Sequence, residues 1–194
     1  RDDAAVYQID ENHAFVSTLK DIDLFKEMDQ YQLQYIEQPL GEEDIVDHAV
    51  LQKEIETPVC LDESVVSYEA AEAAIRLGSC KVINIKSSRC GGVYEGKRIH
   101  DLCVAHGIPV WCGGMTELGI GRAQNVSFAS LPGFTELAHD VAAANRYFDE
   151  DITSPMVDIT DRCTIIVPDE DNGIRYEVDE KQIDKMEAGH WIFK

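Results

Sequence analysis

The chain has 194 residues, 44% of them hydrophobic, which is enough for a domain with a real core and excludes a disordered chain. Its 37 acids against 17 bases give a formal charge of -20, a field that repels phosphate backbones and argues against nucleic-acid binding. The six cysteines form no C-x-x-C pair, so they do not read as a zinc or redox motif, and no run of 18 apolar residues or signal peptide is present.

In chain order, short apolar runs end in polar residues. Val6-Tyr7-Gln8-Ile9 ends at Asp10, Leu33-Gln34-Tyr35-Ile36 at Glu37, and Pro58-Val59-Cys60-Leu61 at Asp62. Lys81 to Ile85 ends at Lys86, Ile108 to Cys112 at Gly113-Gly114, and Thr135 to His139 at Asp140. These ends recur about every 25 residues, the length of one strand, one helix and two short loops. The segments between have helical spacing: Thr18 to Met28, Asp44 to Glu54, Tyr68 to Leu77, Val93 to His106 and Thr116 to Leu131. Ser67 is an N-cap candidate and Gly78 a stop for the third of these. Apolar rather than alternating strands point to a buried parallel sheet.

Six successive βα units fit an α/β fold, either a TIM-type (β/α) barrel or an open doubly wound sheet. No G-x-G-x-x-G follows the first strand, and polar residues end several different strands, which favours the barrel. A closed barrel needs eight strands, so two more units would precede Arg1. Residues 1–163 read as the barrel portion. Residues 164–194 break the period and read as a C-terminal segment, with a hairpin of Ile165-Ile166-Val167 and Ile174 to Val178 about the turn Asp171-Asn172-Gly173.

Asp10, Glu37 and Asp62 end three consecutive strands, and in a parallel barrel they converge on one rim. Three carboxylates repel one another unless a cation neutralises them, and an all-oxygen set selects a hard ion, Mg2+ (or Mn2+). Lys86 ends the next strand, where it can act as a base or place fixed positive charge on an enolate. Metal and lysine together point to abstraction of a proton alpha to a carboxylate, with the metal stabilising an enediolate. A small carboxylate is the expected substrate, with no nucleic-acid or membrane partner.

The segments Tyr35-Ile36-Glu37-Gln38-Pro39-Leu40, Cys60-Leu61-Asp62-Glu63-Ser64 and Ile83-Asn84-Ile85-Lys86 resemble the metal and base strands of the enolase superfamily. Arg98 to Cys103, Pro109 to Met115, Gly119-Ile120-Gly121-Arg122-Ala123 and Asn145-Arg146-Tyr147-Phe148 more closely resemble the o-succinylbenzoate synthase / N-acylamino acid racemase family. The resemblance implies metal binding by Asp10, Glu37 and Asp62, catalysis by Lys86 on the sixth barrel strand, and supporting contacts behind the ligands from Asn12 and Glu63. It implies that Gly113, Gly114, Met115 and Asp140 line the substrate pocket, although a glycine pair at a strand end equally reads as a tight turn. It also implies a lyase of menaquinone biosynthesis, a racemase, or both; the expectation of a cytoplasmic protein comes instead from the lack of a signal peptide or long apolar run. The seventh strand carries no histidine, unlike mandelate-racemase-like members, and the eighth lacks the Asp-x-Asp of dipeptide epimerases.

The family's other catalytic lysine belongs to a Lys-x-Lys motif on the second strand, which these 194 residues do not contain. The resemblance places it, with an N-terminal capping domain, before Arg1. Lys86-Ser87-Ser88-Arg89-Cys90 departs from the family's Lys-Pro-Gly-Arg-Val type of turn, and His139 and Ala142 stand where glycine and serine are expected. A truncated or diverged, non-catalytic barrel is the alternative. The open strand edge of an incomplete barrel predicts self-association into a homo-oligomer.

Overall fold

The computed structural model describes residues 5–8, 14–17, 22–134, 136–167, 176–187 and 189. The chain divides into two compact units, one of residues 1–111 and 133–138, the other of residues 112–132 and 139–194.

The first unit opens with β1 (Ala5–Gln8) and β2 (Ala14–Ser17), which pair antiparallel with Ala5 opposite Ser17. This corrects the expectation that the first strand joins the parallel sheet. The residues between, including Asp10 and Asn12, lie outside the described residues. Helix α1 (Ile22–Asp29) follows and buries Phe25; residues 18–21, where the predicted helix begins, lie outside the described residues.

A regular alternation then runs β3 (Ile36–Glu37), α2 (Ile45–Glu54), β4 (Val59–Leu61), α3 (Tyr68–Leu77), β5 (Val82–Ile85), α4 (Val93–Ala105) and β6 (Val110–Cys112). The sheet order is β3-β4-β5-β6, with β3–β4 and β4–β5 parallel. Six parallel strands were expected; among the described residues four form this sheet. Every residue of β4, β5 and β6 is buried, because helices returning between parallel strands cover the sheet. Burying side chains such as Leu61, Ile83 and Ile85 contributes about 1.5–3 kcal/mol each.

The helices start and stop where their residues dictate. Asp44 caps α2 by accepting from the Asp47 N–H, and Ser67 caps α3 by accepting from the Ala70 N–H. Four alanines carry α3, and Gly78 ends it in the left-handed region at φ 75°. His48 is fully buried on α2. Its Nδ1 lies 2.6 Å from the Asp44 carbonyl, and its Nε2 accepts from the Leu40 N–H at 3.2 Å, which ties α2 to the loop after β3. Five cysteines are buried free thiols; Cys163 is exposed.

The second unit holds α5 (Gly119–Ala129), a 3-10 turn at Ala144–Arg146, β7 (Thr153–Ser154), β8 (Glu177–Val178) and α6 (Glu180–Met186). Its core joins Ala123, Val126 and Val157, with Val141, Ile165 and Tyr176 packed on them. A Cβ on Gly119 would fall 2.0 Å from Thr153 Oγ1, so the start of α5 lies directly against β7. The expected hairpin is corrected: residues 165–167 form no strand, and Glu177–Val178 pairs antiparallel with Thr153–Ser154 instead. Ile165 is used in the core, not in a ladder. Among the described residues of the expected strand at 135–139 none is in a strand, and one parallel bridge follows, Gly113 with Asp140. No helix among the described residues is long and apolar enough to cross a membrane.

Candidate active site

Parallel register in the first unit brings the ends of β3, β4 and β5 side by side, with Glu37 opposite Cys60 and Leu61 opposite Ile83. Neighbouring strands lie about 4.8 Å apart, so the residues that end them share one rim. Asp62 is 3% exposed there. Lys86 Nζ lies 2.7 Å from its Oδ2, and Arg89 Nη1 donates to its Oδ1. Two cations therefore compensate a carboxylate whose burial alone would be costly.

Glu37 ends β3 with access to solvent, and its Oε1 accepts from Asn84 Nδ2 at 2.9 Å. Partial loss of water contact raises its carboxyl above the ordinary range. The Asn84 hydrogen bond and the Lys86 charge work against that rise, and the charges of Asp62 and Glu63 add to it. Expected ligands Glu37 and Asp62, the expected supporting acid Glu63 and the expected lysine are thus electrostatic neighbours. The donors are all carboxylate oxygens, and the repulsion from Asp62 and Glu63 that adds to the rise caused by burial is what a bound cation would relieve, so the set fits a hard divalent ion. Among the described residues no three acids, histidines or cysteines group closely enough to hold a metal. The third expected ligand, Asp10, lies outside them.

Three residues at this rim had no role assigned from the sequence. Asn84 precedes Lys86 by two positions on the same face of β5, and a lone amide inside an apolar strand was its signal. Arg89 lies one turn beyond Lys86. Gln38 is buried at 8% exposure with a φ of 39°, which no sequence pattern announces.

The expected pocket residues lie in the second unit. Gly113 is buried and Met115 exposed. A Cβ on Gly114 would sit 2.9 Å from the Asp140 carbonyl, so close approach of the backbone requires glycine there. The Asp140 N–H donates to the Cys112 carbonyl, and its exposed carboxylate faces Arg146 Nη1 at 3.3 Å. His139, a departure from the family pattern, accepts the Cys112 N–H at Nδ1, 3.0 Å. Glu117 accepts from the Met115 N–H at 2.7 Å and from Asn125 Nδ2 at 2.9 Å. Buried Arg122 donates to the Glu117 and Ala142 carbonyls, both at 2.7 Å, joining the two loops that hold these residues.

A family model described as "Enolase C-terminal domain-like" matches residues 2–182. The chain belongs to this family. This enolase C-terminal domain-like chain is 50% identical over 176 residues to an o-succinylbenzoate synthase of Geobacillus stearothermophilus, covering 91% of the chain and 46% of that relative. It is 52% identical over 155 residues to an N-succinylamino acid racemase of an Amycolatopsis species, covering 80% of the chain and 41% of that relative. The crystal structure of an enolase superfamily member from Listeria innocua superposes with a TM-score of 0.81 at 42% identity, covering 87% of this chain and 44% of the other. These relatives are a lyase and an isomerase by name, the two enzyme types the resemblance implied. The enolase C-terminal domain-like chain spans a little under half their length.

Proposed function

We propose that the chain carries the metal ligands and one acid/base group of an enzyme that removes a proton alpha to a carboxylate, in an o-succinylbenzoate synthase or N-acylamino acid racemase reaction. The observation that carries this reading is the 2.7 Å contact of Lys86 Nζ with Asp62 at adjacent strand ends, with the Glu37 carboxylate beside them. Relatives of both names support it.

Glu37 and Asp62, with Asp10 as the third ligand, would hold Mg2+ (or Mn2+). When bound, the ion would offset the negative charge that grows on the substrate carboxylate as the α-proton leaves. Lys86 acts at the α-carbon: in racemisation it holds or moves the proton on one face of that carbon, and in dehydration its ammonium steadies the enolate. Arg89 keeps Asp62 oriented after Lys86 turns toward substrate, because it occupies the other carboxylate oxygen. Asn84 fixes Glu37 by one oxygen and leaves the second without that tether. The substrate is a small carboxylate. Dehydration would place the enzyme in menaquinone biosynthesis.

The test is calorimetric titration of the intact protein with Mg2+, beside the Glu37→Gln variant. Affinity is expected to fall at least tenfold in the variant. Assays with the o-succinylbenzoate precursor and with N-succinylamino acids then separate the two reactions. Equal Mg2+ affinity in both proteins would remove Glu37 from the site.

A further inference from the structure

Gln38 follows the candidate ligand Glu37 and reaches across to the next strand end. Its Oε1 accepts the Asp62 N–H at 2.9 Å and the Ser64 N–H at 3.3 Å. Its Nε2 donates to Ser64 Oγ at 2.8 Å, and less closely to the Leu40 and Gly41 carbonyls at 3.3 and 3.4 Å. Its own N–H donates to the Cys60 carbonyl at 2.8 Å, continuing the β3–β4 ladder one step beyond the last strand residue. One side chain thus bonds the main chain of one candidate ligand while its backbone is joined covalently to the other.

The cost of this arrangement is visible. Gln38 holds φ at 39°, in the left-handed region where a side chain is disfavoured. The residue is also almost wholly buried, so its amide must find partners within the protein. Both amide ends are used, and the two shortest of these side-chain bonds lead to the Asp62–Ser64 loop.

We propose that Gln38 is a positioning residue that sets the separation of the Glu37 and Asp62 carboxylates, and so the affinity of the divalent ion between them. The inference rests on the metal reading above. Loss of the amide frees the 62–64 loop to move relative to Glu37, and misplacement of a ligand weakens an ion that tolerates little departure from its coordination geometry.

The experiment is calorimetric titration of the intact protein with Mn2+, with thermal unfolding in EDTA measured in parallel. The proteins are wild type, Gln38→Ala, Gln38→Gly and, as a stability control whose side chain caps α3 through the Ala70 N–H, the cap variant Ser67→Ala. Gln38→Ala is expected to raise the Mn2+ dissociation constant ten- to a hundredfold, and Ser67→Ala to leave it unchanged. Gln38→Gly removes the amide and the backbone strain together. Its metal affinity should fall as far as that of Gln38→Ala, while its unfolding temperature in EDTA stays closer to wild type. That split is one that general destabilisation does not produce, and Gln38→Gly carries the test where the alanine variant does not fold. A Gln38 variant that binds within twofold of wild type, or an equal loss in Ser67→Ala, overturns the inference alone. Wild type that binds no Mn2+ overturns the metal reading and the inference with it.

Discussion

At the scale of single residues, the rim of the first unit is a balance of charge. Asp62 is compensated by Lys86 and Arg89, all three largely out of water. Asp62→Asn leaves two partly buried cations without their anion, and should cost about 3 kcal/mol of stability in EDTA, read by denaturant unfolding. Lys86→Met keeps the Arg89 contact and much of the packing. It should cost less stability than Asp62→Asn, yet abolish exchange of the substrate α-proton into deuterated water, followed by NMR. Comparable α-proton exchange in Lys86→Met and wild type would exclude the lysine as the acid/base group. That Glu37, Asp62 and Lys86 meet at one rim was legible in the sequence, because each ends an apolar run at a regular interval. Asn84, Arg89 and Gln38 were not assigned roles, because their parts depend on which side chains meet across strands. Periodicity gives the face of a residue but not its partner.

At the scale of elements, α3 was readable almost to the residue, since its cap, its alanines and its stop are all local signals. Ser67→Ala should cost about 1 kcal/mol of stability, and Gly78→Ala a similar amount through its left-handed φ, both by chemical denaturation. The start of α5 was read three residues early, at Thr116, because Glu117 folds back onto Met115 and Asn125 instead of entering the helix. His48 makes α2 sensitive to acid. Burial lowers its pKa below the ordinary histidine value, while the Asp44 carbonyl and the Asp44 charge oppose that shift. The folded state therefore holds fewer protons on this ring than the unfolded state does at mildly acid pH. Its stabilising contribution is complete above about pH 6.5 and declines as pH falls toward the folded value. Melting temperatures should drop between pH 7.5 and pH 5, and His48→Gln should flatten that part of the profile.

At the scale of the whole molecule, 37 acids against 17 bases leave the chain repelling itself. Screening shortens the reach of that repulsion to about 8 Å at 0.15 M salt. The melting temperature should therefore rise by a few degrees between 10 and 150 mM NaCl. Among the described residues β3 pairs only with β4. The alternating α/β order of the central part was legible from the period of apolar runs. The antiparallel pairing of β1 with β2 and of β7 with β8 was not, because apolar runs reveal a strand without naming the strand beside it.

The contact of Gly119 with Thr153 binds two distant positions to a common history. Backbone at 119 and side chain at 153 fill one volume, so an added methyl at the first needs a smaller residue at the second. Drift at these sites is then correlated rather than independent. Descendants of this chain should change them as a pair or keep both, and a library that randomises the two together should recover folded combinations that either site randomised alone does not yield.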